Sequence, residues 1–208
     1  MNRSELQVAS DELARRSPAF ARIIAIEGPA VIGAARPRRT HFAELARAIC
    51  FQQLAGAAAR TIHGRFEALF DGPPTAEGVL AVDDSALRGA GLSAAKAAAI
   101  RDLATKVVDG SLPLARIGAK PDDEVVGALV QVRGIGRWTA EMFLMFQLGR
   151  PDVWPVDDLG VRNGFGILHG FTTPPTAKAL DPLGDELRPY RSVAAWYCWR
   201  AVSPSAPL

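Results

Sequence analysis

Hydrophobic positions recur three and four residues apart along almost the whole chain, the spacing that gathers them on one face of an α-helix. From Phe42 they continue through Leu45, Ala46, Ile49, Leu54, Ala58, Ile62, Phe66 and Leu69. That run is long for one helix, and Gln52-Gln53 with Ala55-Gly56 predicts a break inside it. Asp71-Gly72-Pro73-Pro74 reads as a turn. A short helix is expected after Asp84, and another from Ala94 to Val108, stopped by Asp109-Gly110. Asp122, after Pro121, is the expected N-cap of a helix bearing Val125, Val126, Leu129 and Val132. Gly134-Ile135-Gly136 then breaks the pattern before a second helix expected to reach Leu148. Pro174-Pro175 marks a late loop, and a last helix is expected from Ser192 to Arg200, ahead of a Pro-rich tail. Alternation with β-branched enrichment is missing, so the predicted fold class is all-α.

Composition narrows the picture without deciding it. The 208 residues are 49% hydrophobic, enough for a sizeable core in one domain or two intimate lobes. Cys50 and Cys198 lie far apart, match no metal-ligand spacing and are too few for a four-cysteine iron–sulfur cluster. Their sequence separation leaves both a disulfide and two buried thiols open. No stretch approaches the roughly 18–20 apolar residues of a membrane span, and Met1 to Ser10 lacks an apolar signal region. The expectation is a soluble, cytoplasmic protein with no membrane association. Lys+Arg 24 against Asp+Glu 22 permits nucleic-acid binding but does not argue for it. Arg36-Pro37-Arg38-Arg39 is a small basic cluster that reads as a solvated loop.

The segment from Leu129 to Phe143, LVQVRGIGRWTAEMF, is the most informative. Gly134 and Gly136 flank Ile135, so the chain can turn tightly while Ile135 plugs the space between two helices. N–H groups of the turn and of the next helix's first residues, Arg137 to Thr139, then point outward at the positive end of the helix dipole and suit a phosphate. Contacts of that kind position a protein on DNA without reading sequence. A monovalent cation at the hairpin is a candidate ligand; no other cofactor and no metal site is expected.

This string resembles the helix-hairpin-helix of the DNA glycosylase superfamily, in its alkyl-purine (DNA-3-methyladenine glycosylase II) branch. The resemblance continues in His41 to Leu54, Leu87 to Lys96, Pro151 to Gly160 and Pro189 to Arg200, in the family's motif order. By its Asp-Leu-Gly pattern Asp158 is implied as the catalytic carboxylate, stabilising positive charge on the sugar and orienting or deprotonating water. Its neighbour Asp157 reads as a loop or helix-capping carboxylate. Where bifunctional members carry a lysine that cleaves the strand, this chain has Trp138, which implies hydrolysis by water alone. Trp138, Met142 and Trp199 are implied as walls of a pocket for an electron-poor flipped base, with core packing equally open for Trp199. Gln52-Gln53-Leu54 matches the loop that fills the gap left by the base, with Gln53 or Leu54 as the wedge. Gly134, Gly136, Arg137 and Thr139 complete the implied DNA contacts. His41, His63 and His169 fall in no motif.

Together these imply two helical lobes, 45–150 and 1–44 with 151–208, with Asp158 facing an interlobe active-site cleft beside Trp138. The implied activity is a monofunctional glycosylase, acting as a monomer on double-stranded DNA with alkylated bases. A compact form without the family's extra β-rich domain is implied too. The alternatives are a non-catalytic hairpin module that only binds DNA, and a glycosylase for deaminated or oxidised bases.

Overall fold

The computed structural model describes residues 1–32 and 39–203. Residues 36–38 of the basic cluster and 204–208 of the tail lie outside the described residues, while Arg39 pairs with Glu67 at 3.2 Å. Among the described residues there is no strand, in keeping with the all-α expectation, and no helix is long and apolar enough to cross a membrane. The chain forms two compact units, Met1–Arg36 with Leu144–Leu208, and Pro37–Phe143. The expected division at 45 would cut through a helix that begins at His41 and packs as a whole within the second unit.

The first unit is built from α1 (Arg3–Arg16), α2 (Pro18–Glu27), α10 (Leu159–His169), α11 (Ala177–Leu183) and α12 (Arg191–Val202). α1 starts in a capping box between Asn2 and Glu5, and Ser17 caps α2 ahead of Pro18, so two adjacent starts divide what could have been one helix. Leu6, Leu13, Phe20, Val161, Phe165 and Tyr197 are buried in its core. α10 and α12 approach closely because α10 carries glycine one turn apart: a Cβ on Gly164 would overlap the carbonyl of Cys198. Both cysteines are free and buried, which answers the question their spacing left open.

The second unit holds α3 (His41–Phe51), α4 (Gly56–Glu67), α5 (Ala76–Ala81), α6 (Asp84–Gly89), α7 (Ala94–Val108), α8 (Asp122–Leu129) and α9 (Arg137–Met142). The expected break separates α3 from α4. α7 has the predicted bounds, opened by the Ser93 hydroxyl on the Lys96 N–H and closed at Gly110 with φ +81°. Two expectations are corrected. Pro121, not Asp122, is the N-cap of α8, and Asp122 lies inside its acidic first turn, where the helix dipole favours it. The helix after the hairpin leaves α geometry at Met142 and continues as a single π turn, Phe143–Gln147. A π turn gains one residue per turn and shifts the side chains after it around the axis.

Candidate active site

Asp158 ends the loop between the π turn and α10, and that loop is anchored along its length. Ser192, fully buried at the start of α12, donates to the Arg150 carbonyl at 2.8 Å and accepts the Val153 N–H at 2.9 Å. Arg191 grips both carboxylate oxygens of Asp152, at 2.8 and 3.0 Å. Trp154 is buried and donates its indole N–H to the Leu180 carbonyl at 3.2 Å.

At the loop's end Asp158 is the N-cap of α10, its Oδ1 accepting the Val161 N–H at 2.8 Å. The same oxygen accepts the Trp199 indole N–H at 2.9 Å. Two donors on one oxygen fix the orientation of the carboxylate. Of the two readings of Asp157, loop or helix-capping carboxylate, the structure shows the first: Asp157 is exposed in the loop, and the capping carboxylate is Asp158. Capping needs an acceptor on the residue just before the helix, and α10 begins at Leu159, directly after Asp158.

The indole reaches Asp158 because position 160 is glycine. A Cβ there would come within 2.8 Å of Trp199 Cδ1 and 3.0 Å of Asp158 Oδ1. Trp199 is half-buried and stacks on Phe146, ring centroids 5.9 Å apart and planes 24° apart. Phe146 escaped the sequence reading, since only the π turn shows which way its ring faces. Core packing and pocket wall thus converge in Trp199. Cys198, next to it, is fully buried; its thiol is pushed up by that burial and further by Asp158, and is inert as a nucleophile.

Trp138 and Met142 stand on α9, in the other unit. Trp138 is 47% exposed, Met142 half-buried. In the hairpin, Gly134 has φ +77°, which favours glycine, and Ile135 is buried as the plug. Gly136 does not have the expected unusual dihedrals: φ −91° and ψ 173° make it an extended N-cap that other residues could adopt. Arg137 is largely exposed, yet its Nε is paired with the buried Glu141 at 2.9 Å. Thr139 is buried with its hydroxyl 3.5 Å from Gln52 Nε2, so only its main chain remains for a DNA contact.

The three residues of the turn after α3 separate into two kinds. Gln52 turns inward and donates to the Gly134 carbonyl at 2.9 Å, which makes it a brace for the hairpin. Gln53 and Leu54 are exposed at the tip. Among the described residues Gln53 is the one non-glycine residue in the left-handed region, at φ 55°. None of the three histidines joins these groups: His63 pairs with Glu67, His169 stacks on Phe165, and His41 lies edge-on to Phe143. Among the described residues no His, Cys, Asp or Glu cluster could hold a metal ion.

An all-helical fold with a Gly-Ile-Gly hairpin followed by an anchored aspartate is the arrangement of a base-excision repair protein. The chain belongs to the HhH-GPD superfamily of base excision DNA repair proteins, whose profile matches residues 46–188. It is 35% identical over 178 residues to DNA-3-methyladenine glycosylase 1 of Schizosaccharomyces pombe, covering 82% of this chain and 78% of the relative. Among solved structures it is similar to a 3-methyladenine DNA glycosylase of the same yeast in complex with abasic DNA, with a TM-score of 0.83 and 32% identity over 92% of this chain and 95% of the other. A DNA-3-methyladenine glycosidase from Bacillus halodurans superposes with a TM-score of 0.82 and 36% identity, over 92% and 87%.

Proposed function

We propose that this protein is a monofunctional DNA glycosylase that hydrolyses the N-glycosidic bond of alkylated bases of the 3-methyladenine and 7-methylguanine type in double-stranded DNA. The observation that carries the reading is Asp158, a carboxylate held by two N–H donors at the mouth of α10. The electron pair of the breaking C–N bond leaves with the base, and positive charge grows on the sugar. A carboxylate whose orientation is already fixed lowers that charge's energy without reorganising at the moment of reaction. Water then bonds to the sugar carbon and gives its proton to Asp158 or to solvent. A base alkylated on a ring nitrogen is already cationic, so no general acid is required and the absence of histidine from the site is no obstacle.

Trp138 supports hydrolysis over strand cleavage, because an indole offers no amine to form a Schiff base. The exposed face of Trp138, with Met142 one turn on, suits stacking on an electron-poor base, as does the indole of Trp199. The turn at Gln53 and Leu54 fills the gap in the duplex, and the hairpin main chain from Gly134 to Thr139 receives a phosphate. The carbonyls of Val132 and Gly134 each accept one hydrogen bond and keep a second lone pair, a donor set that suits a monovalent cation. No step of the reaction draws on it. We infer action as a monomer.

The test is incubation with methylated duplex DNA. Free methylated base should appear while the strand stays unnicked until alkali is added, and borohydride should trap no covalent protein–DNA adduct. Binding without base release would favour the non-catalytic module instead, and a trapped adduct would make the chemistry bifunctional.

A further inference from the structure

Lys96, Ala99 and Asp102 stand three residues apart on α7, so their side chains line one face of the helix. Each meets a different point of the turn or the hairpin. The Lys96 ammonium donates to the carbonyls of Cys50 and Gln52, both at 2.8 Å. Ala99 lies under the hairpin, its Cβ 3.3 Å from where a Cβ on Gly134 would stand. Asp102 accepts the Arg133 N–H at 2.8 Å, its other oxygen tied to Lys106 at 2.5 Å. Gln52 closes the circuit by donating to the Gly134 carbonyl at 2.9 Å.

Both partners of Lys96 are main-chain carbonyls. The Cys50 carbonyl is among the last of α3, which have no partner within the helix and form the negative end of its dipole. Partial burial lowers the Lys96 pKa, so placing an ammonium here opposes its charge, and the two bonds offset that cost. The residue immediately after this grip is Gln53, in the left-handed backbone. A neutral side chain at 96 would leave the two carbonyls to water and free the turn to relax.

We propose that Lys96 is a positioning residue for the gap-filling turn: through the Cys50 and Gln52 carbonyls it holds Gln53 in the conformation that enters the duplex. The assignment rests on the reading above that this turn fills the gap. α7 is then a template that sets the turn and the hairpin from one rigid face, with Gln52 transmitting between them.

A double-mutant cycle on the full chain tests this, read by single-turnover base release from methylated duplex DNA and by fluorescence of 2-aminopurine next to the lesion. Lys96→Met should slow release roughly tenfold, about the worth of one charged hydrogen bond, and reduce the unstacking signal. Lys96→Arg should recover most of both. If Lys96 acts through Gln53, adding Lys96→Met to Gln53→Ala should cost little more than Gln53→Ala alone. Fully additive losses would overturn the proposal and leave Lys96 a structural cap. If Gln53→Ala is impaired and Lys96→Met is not, the role of Lys96 falls while the gap-filling reading stands. If Gln53→Ala keeps full release and signal, Gln53 is not the residue that fills the gap, and the role of Lys96 through it falls while Leu54 remains as the wedge. Should Lys96→Met not fold, Lys96→Gln, which keeps one donor group, replaces it in the cycle.

Discussion

Where Asp158 stands, position is set by what is left out. Gly160 and Gly164 omit the side chains that would push α12 away, and the indole of Trp199 comes to rest on the carboxylate. Where Gln53 stands, position is set by what is put in. Lys96, Gln52 and Asp102 reach across to main-chain groups and hold an exposed turn and hairpin from behind. A carboxylate that must meet one carbon at one angle is fixed by close packing, which yields little. A segment that must enter a distorted duplex is fixed by polar bonds, which can tolerate a conservative exchange of partner. The two regions should therefore respond differently to substitution: sharply to one added methyl in the first, gradually in the second.

The largest effect is expected at the carboxylate itself. Asparagine keeps an acceptor for the Val161 and Trp199 N–H groups and caps helices as well as aspartate does, so Asp158→Asn should fold normally. It lacks the charge. Single-turnover base release should fall by about 10²–10³, the usual worth of a fixed electrostatic group in a transition state, while DNA affinity persists. Asp157→Asn, at an exposed position, should be nearly silent. Near-wild-type release by Asp158→Asn would remove Asp158 from the chemistry.

How far these regions were legible in the sequence follows from the range of the forces that build them. The bounds of α7 and the break after Phe51 come from local periodicity and local stop signals, and both could be read directly. Asp158 was reached through the motif order of a family, not from its surroundings. Its indole partner stands 41 residues away and the reason the two meet is a pair of glycines, which carry no hydrophobic signal at all. Phe146 was hidden because a π turn looks like any other helix in sequence. The resemblance singled out Gln53 or Leu54 as the wedge, but only the fold shows Gln52 turned in to brace the hairpin and Gln53 strained at the tip. Thr139 and Gly136 show the same limit: position in a motif says little about whether a side chain faces out or a dihedral is unusual.

Next in size is the methyl test of the packed region. Gly164→Ala places a Cβ against the Cys198 carbonyl, which is main chain and cannot swing aside. Overpacking of this kind costs about 3 kcal/mol, near the upper end of the usual range, and should lower the melting temperature by roughly 6–12 °C for a chain of this size. An unchanged melting temperature would mean that α10 and α12 are further apart in solution. Smaller again, Trp199→Phe keeps a ring to stack on Phe146 and deletes the N–H on Asp158. Base release should fall roughly tenfold, about 1.5 kcal/mol for a hydrogen bond to a charged group, with little change in melting temperature. A loss of stability instead of rate would make Trp199 a core residue only.

The smallest effect separates backbone strain from side-chain function in the turn. A left-handed conformation costs an L-residue about 1–2 kcal/mol and costs glycine almost nothing. Glycine, however, loses more freedom on folding, by about 0.5–1 kcal/mol relative to alanine. Gln53→Gly should therefore be more stable than Gln53→Ala, by up to about 1.5 kcal/mol, with both compared at their urea midpoints and at equal m-value. Both variants lack the side chain that enters the duplex, so both should lose base release despite the difference in stability. Alanine at 53 keeps the strain of glutamine, and its stability should stay close to that of the native chain. If glycine gives no gain over alanine, the left-handed backbone is not held in solution and the grip of Lys96 on the turn is looser than the polar bonds around it suggest. If glycine gains stability and also restores release, the side chain of Gln53 is dispensable, and Leu54 becomes the residue that fills the gap.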